Sequence, residues 1–248
     1  MTVSIITATS NSEDTIRGCL ESIAIQDYPK IELIIIDNVS NDNTLKIINS
    51  FDLSDKAVKV ISEPDKGIYD ALNKGIQNAS GEIIGFLHSD DFYFNSRSIT
   101  DVVNCFNETK PNGVYGDLIY VKKYDINKVV RTWKSRSFNI NLLTKGWMPA
   151  HPTLFLRREV YDRHGFFNTD YKISADYEFM LRILNNTELK FNYLSKTIIK
   201  MRVGGASNRN FKNITIKSLE DLKAIRSNNV GGVFTLILKN ISKVRQFL

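Results

Sequence analysis

The sequence predicts an α/β fold with a mainly parallel central sheet and helices on both of its faces. Short apolar strands alternate with amphipathic helices without interruption over the first hundred residues, and this alternation is typical of parallel sheets. The composition, with 42% hydrophobic and 24% charged residues, is that of an ordinary globular protein. The chain is long enough for one large α/β domain.

The first half of the chain supplies four predicted strands and three predicted helices. The strands are apolar runs bounded by polar turns, and they lie at residues 3–7, 32–37, 58–61 and 82–87. The helices place apolar residues three or four positions apart, and they span about 12–23, 44–51 and 68–79. Each strand is therefore predicted to return to the sheet through a helix.

From residue 96 the pattern changes. A helix to about residue 106 precedes two strands, 114–121 and 129–133, which are predicted to form a small antiparallel hairpin. The remaining predicted elements, in chain order, are an irregular segment 142–149, a strand 153–156, a helix from about Ser174, strands near Lys190 and Ile198, and a helix at 214–227.

The C-terminal tail, residues 228–248, combines apolar residues with Lys239, Lys243 and Arg245. Two interpretations stay open. A basic amphipathic helix can lie on an anionic bilayer as a peripheral membrane contact, or the same helix can dock on the domain.

Charge and cysteine content restrict the partners and the compartment. The net charge of +6 suits anionic partners such as nucleotides or phosphate-linked substrates, and no basic run is dense enough to indicate nucleic acid. Cys19 and Cys105 stand alone in predicted helices, which favours a reducing compartment. The first residues lead directly into a strand, and no apolar run is long enough to span a membrane. The predicted location is cytoplasmic, with at most a peripheral attachment to the inner membrane face.

Asp90 and Asp91 follow the buried strand 82–87 at the edge where open α/β sheets bind ligands. Two adjacent carboxylates repel each other unless a cation or a proton offsets their charge, so a divalent, oxygen-seeking metal is the candidate ligand. The alternative is that Asp90 caps the next helix and Asp91 lies in its first turn.

Eight short stretches are weak signals singly but specific in their order and spacing. They lie at residues 3–7, 36–42, 65–75, 81–91, 146–149, 151–153, 174–178 and 202–207. Together they resemble family 2 glycosyltransferases of the GT-A fold, in particular bacterial transferases that build colanic acid, O-antigen and capsule polysaccharides. The resemblance covers residues 1 to about 225. It implies one catalytic domain, 1–227, with a Rossmann-like nucleotide-sugar-binding half (1–107) and an acceptor-binding half (108–227).

The resemblance also implies a donor site. Asp91 matches the last acid of the family's DxD motif, which binds Mn²⁺ or Mg²⁺ on the donor diphosphate, and Ser89 replaces the first acid. Asp90 matches a contact to the ribose or the donor sugar. The nucleobase would be held by Thr7, Ala8, Thr9, Asp37, Asn38 and Ser40. Asn38 can pair with the N3–H of uracil or thymine, but its amide also offers a donor. Lys66 would meet the base or a phosphate, unless it is a solvated loop lysine.

For the reaction itself, the resemblance implies that Asp176 is the general base, and the alternative is a carboxylate favoured by the helix dipole. A single in-line displacement makes the enzyme inverting. His151 is either a further metal ligand or diphosphate contact, or an ordinary hydrogen-bonded histidine. Other residues are assigned to a mobile donor and acceptor loop: Arg202, Gly204 and Gly205, with Trp147 either stacking on an acceptor sugar or packing.

The predicted function is a metal-dependent, inverting transfer of a hexosyl or N-acetylhexosaminyl group. The donor would be a nucleotide sugar, with UDP favoured. The acceptor would be a glycan, lipid-linked in the main hypothesis, during synthesis of a bacterial surface polysaccharide such as lipopolysaccharide. A sugar-phosphate nucleotidyltransferase would show a Gly-rich basic loop after the first strand, and residues 7–11 contain neither Gly nor Lys. A catalytically silent nucleotide-sugar-binding protein is the third hypothesis, which loss of Asp91 or Asp176 would have supported.

Overall fold

The computed structural model describes residues 1–204 and 211–244. Its strands are β1 (Val3–Thr9), β2 (Ile31–Asp37), β3 (Ala57–Ser62), β4 (Ile83–Phe86), β5 (Phe92–Tyr93), β6 (Gly113–Val121), β7 (Val129–Trp133), β8 (Phe155–Arg157) and β9 (Phe191–Arg202). Its helices are α1 (Ile16–Ala24), α2 (Thr44–Ser50), α3 (Ile68–Asn78), α4 (Ser98–Thr109), α5 (Asn141–Thr144), α6 (Arg158–His164), α7 (Ala175–Leu184), α8 (Phe211–Ser227) and α9 (Val233–Val244). The part of the chain described forms one mixed sheet in the order β3-β2-β1-β4-β8-β6-β9-β5, and β7 pairs with β6.

The first four strands form the predicted parallel region, since β1 pairs in parallel with both β2 and β4, and β2 pairs in parallel with β3. The C-terminal ends of β1, β2 and β3 are aligned in the sheet. Thr9 of β1 lies opposite Asp37 of β2, which lies opposite Ser62 of β3. Apolar side chains on both faces of β1, β2 and β4 are buried, as expected of strands covered by helices on both sides. Polar residues after the strands therefore converge at one edge.

Two hydrophobic cores lie on opposite faces of the sheet. One includes apolar residues of α3, α6, α7 and α8, and the other includes residues of α1 and α4. The prediction of a mainly parallel sheet with helices on both faces is confirmed.

The second half agrees with the prediction in its hairpin and differs in two strands. The predicted hairpin is β6 and β7. The strands predicted near Lys190 and Ile198 are one twelve-residue strand, β9, because register shifts in its parallel pairing with β6 accommodate the intervening polar residues. The predicted strand 153–156 begins two residues later, at Phe155. Residues His151–Thr153 form a 3₁₀ turn instead, in which the Thr153 hydroxyl bonds to the carbonyl of Ala150.

The alternative role for Asp90 and Asp91 at the start of a helix is wrong. The next residues, Phe92–Tyr93, form β5 and pair with β9, and the following helix does not begin until Ser98. The two carboxylates therefore sit in a strand-to-strand turn, where helix capping cannot account for them.

Helix α9 packs on α8 with an inverted amphipathic pattern. Its most buried side chains are polar: Lys239 is 1% exposed and ion-pairs with Asp221 of α8 at 2.7 Å. Four of its apolar side chains face outward, with exposures between 48% and 70%: Val233, Phe234, Ile237 and Ile241. Helix α9 thus docks on the domain and also presents an apolar stripe, while Arg245 of the predicted basic tail lies outside the described residues. None of the helices described is long and apolar enough to cross a bilayer.

Candidate active site

A cleft of about 440 Å³ opens at the carboxyl ends of the parallel strands. Six of the predicted site residues line it: Ala8, Thr9, Asn38, Asp90, Arg202 and Gly204. Further lining comes from Asp65 and Gly67 before α3, from Ser89, and from Lys123 in the β6–β7 hairpin. The cleft is the place where a nucleotide can reach backbone and side-chain groups of three strand ends at once.

The β2 end of the cleft is a closed hydrogen-bond network around Asp37. The Asp37 carboxylate is fully buried and accepts bonds from the Ser40 backbone N–H (3.0 Å), the Ser40 hydroxyl and the Ser62 hydroxyl (2.7 Å). The Ser40 hydroxyl in turn accepts the Asn11 backbone N–H at 2.8 Å. Asp37 does not line the cleft. Because its bonds and the Ser40–Asn11 bond join the loops after β1 and β2, this network fixes the shape of those two loops.

Asn38 faces the cleft beside this network. Its side-chain oxygen accepts the Asp65 backbone N–H at 3.0 Å, which leaves the amide NH₂ as its donor. Gly67 adopts φ +124° at the start of α3, and a Cβ there would meet no atom within 4 Å. This open backbone gives a ligand room to approach the turn.

Asp90 and Arg202 line the β4 end of the cleft, and Asp91 follows Asp90 without lining it. The Asp91 side chain is fully buried; its Oδ1 accepts the Arg202 backbone N–H at 3.3 Å, and its Oδ2 has no hydrogen-bond partner among the described residues. Burial and the neighbouring Asp90 raise the pKa of Asp91 well above its usual value. The Arg202 guanidinium donates to the Asp90 carbonyl at 2.6 Å and lies over the Phe92 ring. The end of β9 is thereby bonded to the turn that contains Asp90 and Asp91, which we call the acidic turn.

These two carboxylates fit a divalent cation. A buried oxygen without a partner and a neighbouring carboxylate at the cleft are the chemistry that Mg²⁺ or Mn²⁺ would neutralise. Within residues 1–204 and 211–244 no group of three His, Cys, Asp or Glu side chains could hold a metal. One or two carboxylates are what a magnesium site uses when substrate phosphates and water complete the shell.

A second acidic group lies at the N-terminal end of α7. Asp176 is half-buried in the first turn, and its Oδ1 accepts the Tyr69 hydroxyl at 3.0 Å. His88 links the two acidic regions: its ring Nδ1 is buried without a hydrogen-bond partner, and burial lowers the pKa of His88 against the opposing charges of Asp90 and Asp176. The acidic turn and Asp176 thus share one electrostatic environment.

His151 lies near Asp176, in contact with two aromatic rings. Its ring stacks on Phe86 with centroids 5.5 Å apart and meets Phe167 edge-on at 5.6 Å. Burial lowers the pKa of His151 to about 4, although Asp176 opposes the shift. The imidazole is therefore neutral at pH 7, as a metal ligand or an acceptor must be, and its role as a ligand stays a prediction.

The remaining predicted residues fall outside the cleft lining. The Lys66 backbone N–H donates to Asp70 at 3.0 Å, while Thr7 is fully buried under the cleft floor. Trp147 is half-buried and packs in an aromatic group with Tyr115 and Phe138. Gly205 lies outside the described residues.

Comparison with known proteins decides the family. The model of the family described as "Glycosyl transferase family 2" matches residues 4–165. A PGL/p-HBAD biosynthesis glycosyltransferase of Mycobacterium tuberculosis is 30% identical over 239 residues, which cover 95% of this chain and 88% of that protein. The chain belongs to glycosyl transferase family 2.

Solved structures place this transferase in the GT-A fold. The Staphylococcus aureus TarS fragment 1–349 in complex with UDP-GlcNAc superimposes with a TM-score of 0.73 at 21% identity, over 93% of this chain and 66% of that one. The Pyrobaculum calidifontis mannosyltransferase PcManGT in complex with GDP-Man and Mn²⁺ gives a TM-score of 0.69 at 20% identity, over 98% and 69%. The transferase spans slightly less than two thirds of the TarS fragment.

Several residues of the transferase site escaped prediction for identifiable reasons. Asp65, Gly67 and Ser89 lie inside the family motifs, so the signal for them was present. Tyr69 also lies in a motif, but nothing local indicates that its hydroxyl reaches Asp176. Lys123 has no sequence signal, because only the return of the β6–β7 hairpin brings it to the cleft.

Proposed function

We propose that this transferase moves a hexosyl or N-acetylhexosaminyl group from a UDP-sugar to a glycan acceptor, with Mn²⁺ or Mg²⁺ and with inversion at the anomeric carbon. The observation that carries the proposal is Asp91, a fully buried carboxylate with one oxygen lacking a partner, directly after the cleft-lining Asp90. The TarS complex with UDP-GlcNAc supports a UDP-sugar, and the PcManGT complex with Mn²⁺ supports a metal.

On the donor side, Asp90 and Asp91 would hold the metal. A bound divalent cation neutralises charge on the departing diphosphate. Arg202 and Lys123 add positive charge to the cleft lining. Asn38 presents its amide to the base, and the Asp37 network keeps that loop in place.

On the acceptor side, Asp176 would accept the proton of the attacking hydroxyl. The acceptor oxygen forms a bond to the anomeric carbon as the bond to UDP breaks, and UDP leaves with the electron pair. One displacement of this kind, with attack opposite the leaving group, inverts the configuration.

We also propose that the acceptor is lipid-linked and is met at the cytoplasmic membrane face during surface polysaccharide synthesis. Support comes from α9, whose apolar side chains Phe234, Ile237 and Ile241 are exposed to solvent while Thr235 and Lys239 are buried against the domain. An interfacial helix uses such a stripe to enter the headgroup region. Sedimentation with phosphatidylglycerol vesicles tests this. A Phe234→Ser/Ile237→Ser variant should stay in the supernatant, while Ile25→Ser, at a residue 60% exposed beyond α1, should still sediment.

Calorimetric titration tests the donor site. UDP, GDP, CDP, dTDP and ADP are each titrated with Mn²⁺ and with EDTA. We expect UDP to bind with Mn²⁺ and to lose that binding in EDTA. Metal-independent binding, or equal binding of all five nucleotides, would contradict the donor assignment. UDP binding without release of UDP from any UDP-sugar would favour a silent binding protein.

A further inference from the structure

The hydroxyl of Tyr69 connects the donor-binding half to Asp176. Tyr69 lies two residues after Gly67, in the first turn of α3, directly behind the turn that lines the cleft. Its hydroxyl lies 3.0 Å from Asp176 Oδ1 and 2.6 Å from the carbonyl oxygen of Ile173. A single hydroxyl proton thus faces two acceptors, one of which is charged.

Tyr69 acts here as a hydrogen-bond donor. Burial raises its pKa well above the usual value, and the charge of Asp176 raises it further. The raised pKa favours the protonated hydroxyl, so Tyr69 serves Asp176 as a donor and does not compete with it for a substrate proton. Its ring is held against Phe167, with centroids 5.8 Å apart, so packing fixes the position of the hydroxyl oxygen beside its two acceptors.

The segment before α7 is fixed from two sides. From α3, Asn73 donates to the Phe167 carbonyl at 2.9 Å and accepts the Phe167 N–H at 3.0 Å. From α8, the Glu220 carboxylate accepts three successive backbone N–H groups, those of residues 172–174, at 2.8, 2.9 and 3.0 Å. These five bonds hold the backbone of the segment even without the bond from Tyr69 to the Ile173 carbonyl. What Tyr69 alone adds is contact with the Asp176 side chain.

We infer that Tyr69 is a positioning residue, whose hydroxyl holds the Asp176 carboxylate by Oδ1 so that Oδ2 is presented to the acceptor hydroxyl. The inference rests on the proposed role of Asp176 as general base. It also explains how the two halves are coupled: α3 begins at the donor-binding turn and, one residue into the helix, touches the group that activates the acceptor. Displacement of the turn by even about 1 Å would misdirect the base.

The test separates kcat from donor binding. In Tyr69→Phe, which keeps the ring, we expect kcat to fall about 10- to 100-fold, the effect of losing one hydrogen bond to a charged group. The donor KM and the Kd for UDP with Mn²⁺ should change by less than about twofold, since Tyr69 does not line the cleft. The readout is hydrolysis, in which water takes the place of the glycan acceptor: UDP and free sugar are released from UDP-N-acetylglucosamine, UDP-glucose or UDP-galactose, whichever the wild type turns over fastest.

Tyr177→Phe is the matched control. Tyr177 is the residue after Asp176 and its hydroxyl is also buried, but that hydroxyl has no hydrogen-bond partner among the described residues. Removing it should leave kcat unchanged. In a double-variant cycle, Tyr69→Phe should cost nothing further once Asp176→Asn is present, because a residue that acts through Asp176 has nothing left to position.

The outcomes are distinguishable. If Asp176→Asn is inactive and Tyr69→Phe has wild-type kcat, the inference is wrong and the proposed function stands. Two other results would also overturn the inference, because each indicates a purely structural defect. One is a Tyr69→Phe variant that raises donor KM as much as it lowers kcat. The other is a double variant in which the losses of activity from Tyr69→Phe and Asp176→Asn add. If Asp176→Asn is fully active, or the wild type releases UDP from none of the donors, the proposed function fails together with it.

Discussion

A fully buried carboxylate follows or ends each of the strands β2 and β4, and the two carboxylates differ in how many hydrogen bonds they accept. Asp37, at the end of β2, accepts three hydrogen bonds from Ser40 and Ser62. Asp91, after β4, accepts one weak bond at 3.3 Å and leaves its second oxygen without a partner among the described residues. Both strands flank β1.

Asp37 therefore serves the fold, whereas Asp91 is the group that we propose to serve a ligand. A buried charge is tolerated when hydrogen bonds replace the water it has lost, and Asp37 meets that condition within the protein. Asp91 does not, so its burial is a cost that the protein alone leaves uncompensated. We propose that a divalent cation bound at the cleft compensates the Asp91 carboxylate.

The largest effect is expected at Asp91. Asp91→Asn should lower turnover about 10²- to 10³-fold, since it removes the carboxylate proposed to hold a metal on the donor diphosphate. Without metal the variant should unfold at a temperature no lower than that of the wild type, because a poorly compensated buried charge is gone. Thermal unfolding with Mn²⁺ and with EDTA measures both properties. A marked loss of stability in EDTA would mean that Asp91 serves the fold after all.

A smaller effect is expected at Asp221, a third carboxylate, which is 2% exposed and compensated by ion pairs. Its side chain lies 2.7 Å from Lys239 Nζ and 3.4 Å from Lys217 Nζ. Asp221→Asn should cost about 3 kcal/mol of unfolding free energy at pH 7, because Lys239 would stay buried without its counter-charge. Glu159→Gln, which breaks an exposed pair with Arg163, is the control and should cost far less.

The same pair predicts a pH dependence. Burial alone raises the pKa of Asp221, but Lys239 and Lys217 outweigh it, and the net pKa lies below its usual value of 3.8. A carboxyl whose pKa is lowered by folding adds stability above its unfolded pKa and loses that stability as the pH falls. The difference between wild type and Asp221→Asn should thus stay constant from pH 7 to about pH 5 and shrink below about pH 4. Urea unfolding at each pH would show it, and a difference that grows on acidification would contradict the assignment.

The smallest effect tests the other side of the comparison. Asp37→Asn should cost about 2 kcal/mol of unfolding free energy, since an amide cannot accept all three bonds that the carboxylate accepts. The metal-dependent affinity of the Asp37→Asn variant for UDP should fall only slightly, as a result of movement in the loop that carries Asn38. Urea unfolding measures the first quantity and calorimetry the second. A stable Asp37→Asn variant that no longer binds UDP would instead place Asp37 in direct contact with the base.

The sequence was sufficient for the parallel half and for the acidic turn. The apolar runs of β1, β2 and β4 end in polar residues, and the apolar residues of α3 recur at helical spacing. Since parallel strands joined by helices end at the same edge of the sheet, the sequence predicts that these polar residues lie together. What it could not provide are contacts that depend on the path of the chain. Tyr69 and Asp176 are 107 positions apart, and Lys123 reaches the cleft only through the hairpin. The single strand β9 was read as two because its central residues are polar, while pairing with β6 decides its length.

The three backbone N–H bonds that Glu220 accepts limit how far this chain can be truncated from its C-terminus. The family model ends at residue 165, before Asp176, and even a fragment that stops in the loop after β9 would keep every cleft-lining side chain and the proposed base. It would still lack the carboxylate that receives the N–H groups of residues 172–174. Three adjacent donors would then turn to water, and the first turn of α7 would fray. The shortest useful fragment is therefore set by α8, which supplies none of the described cleft-lining residues.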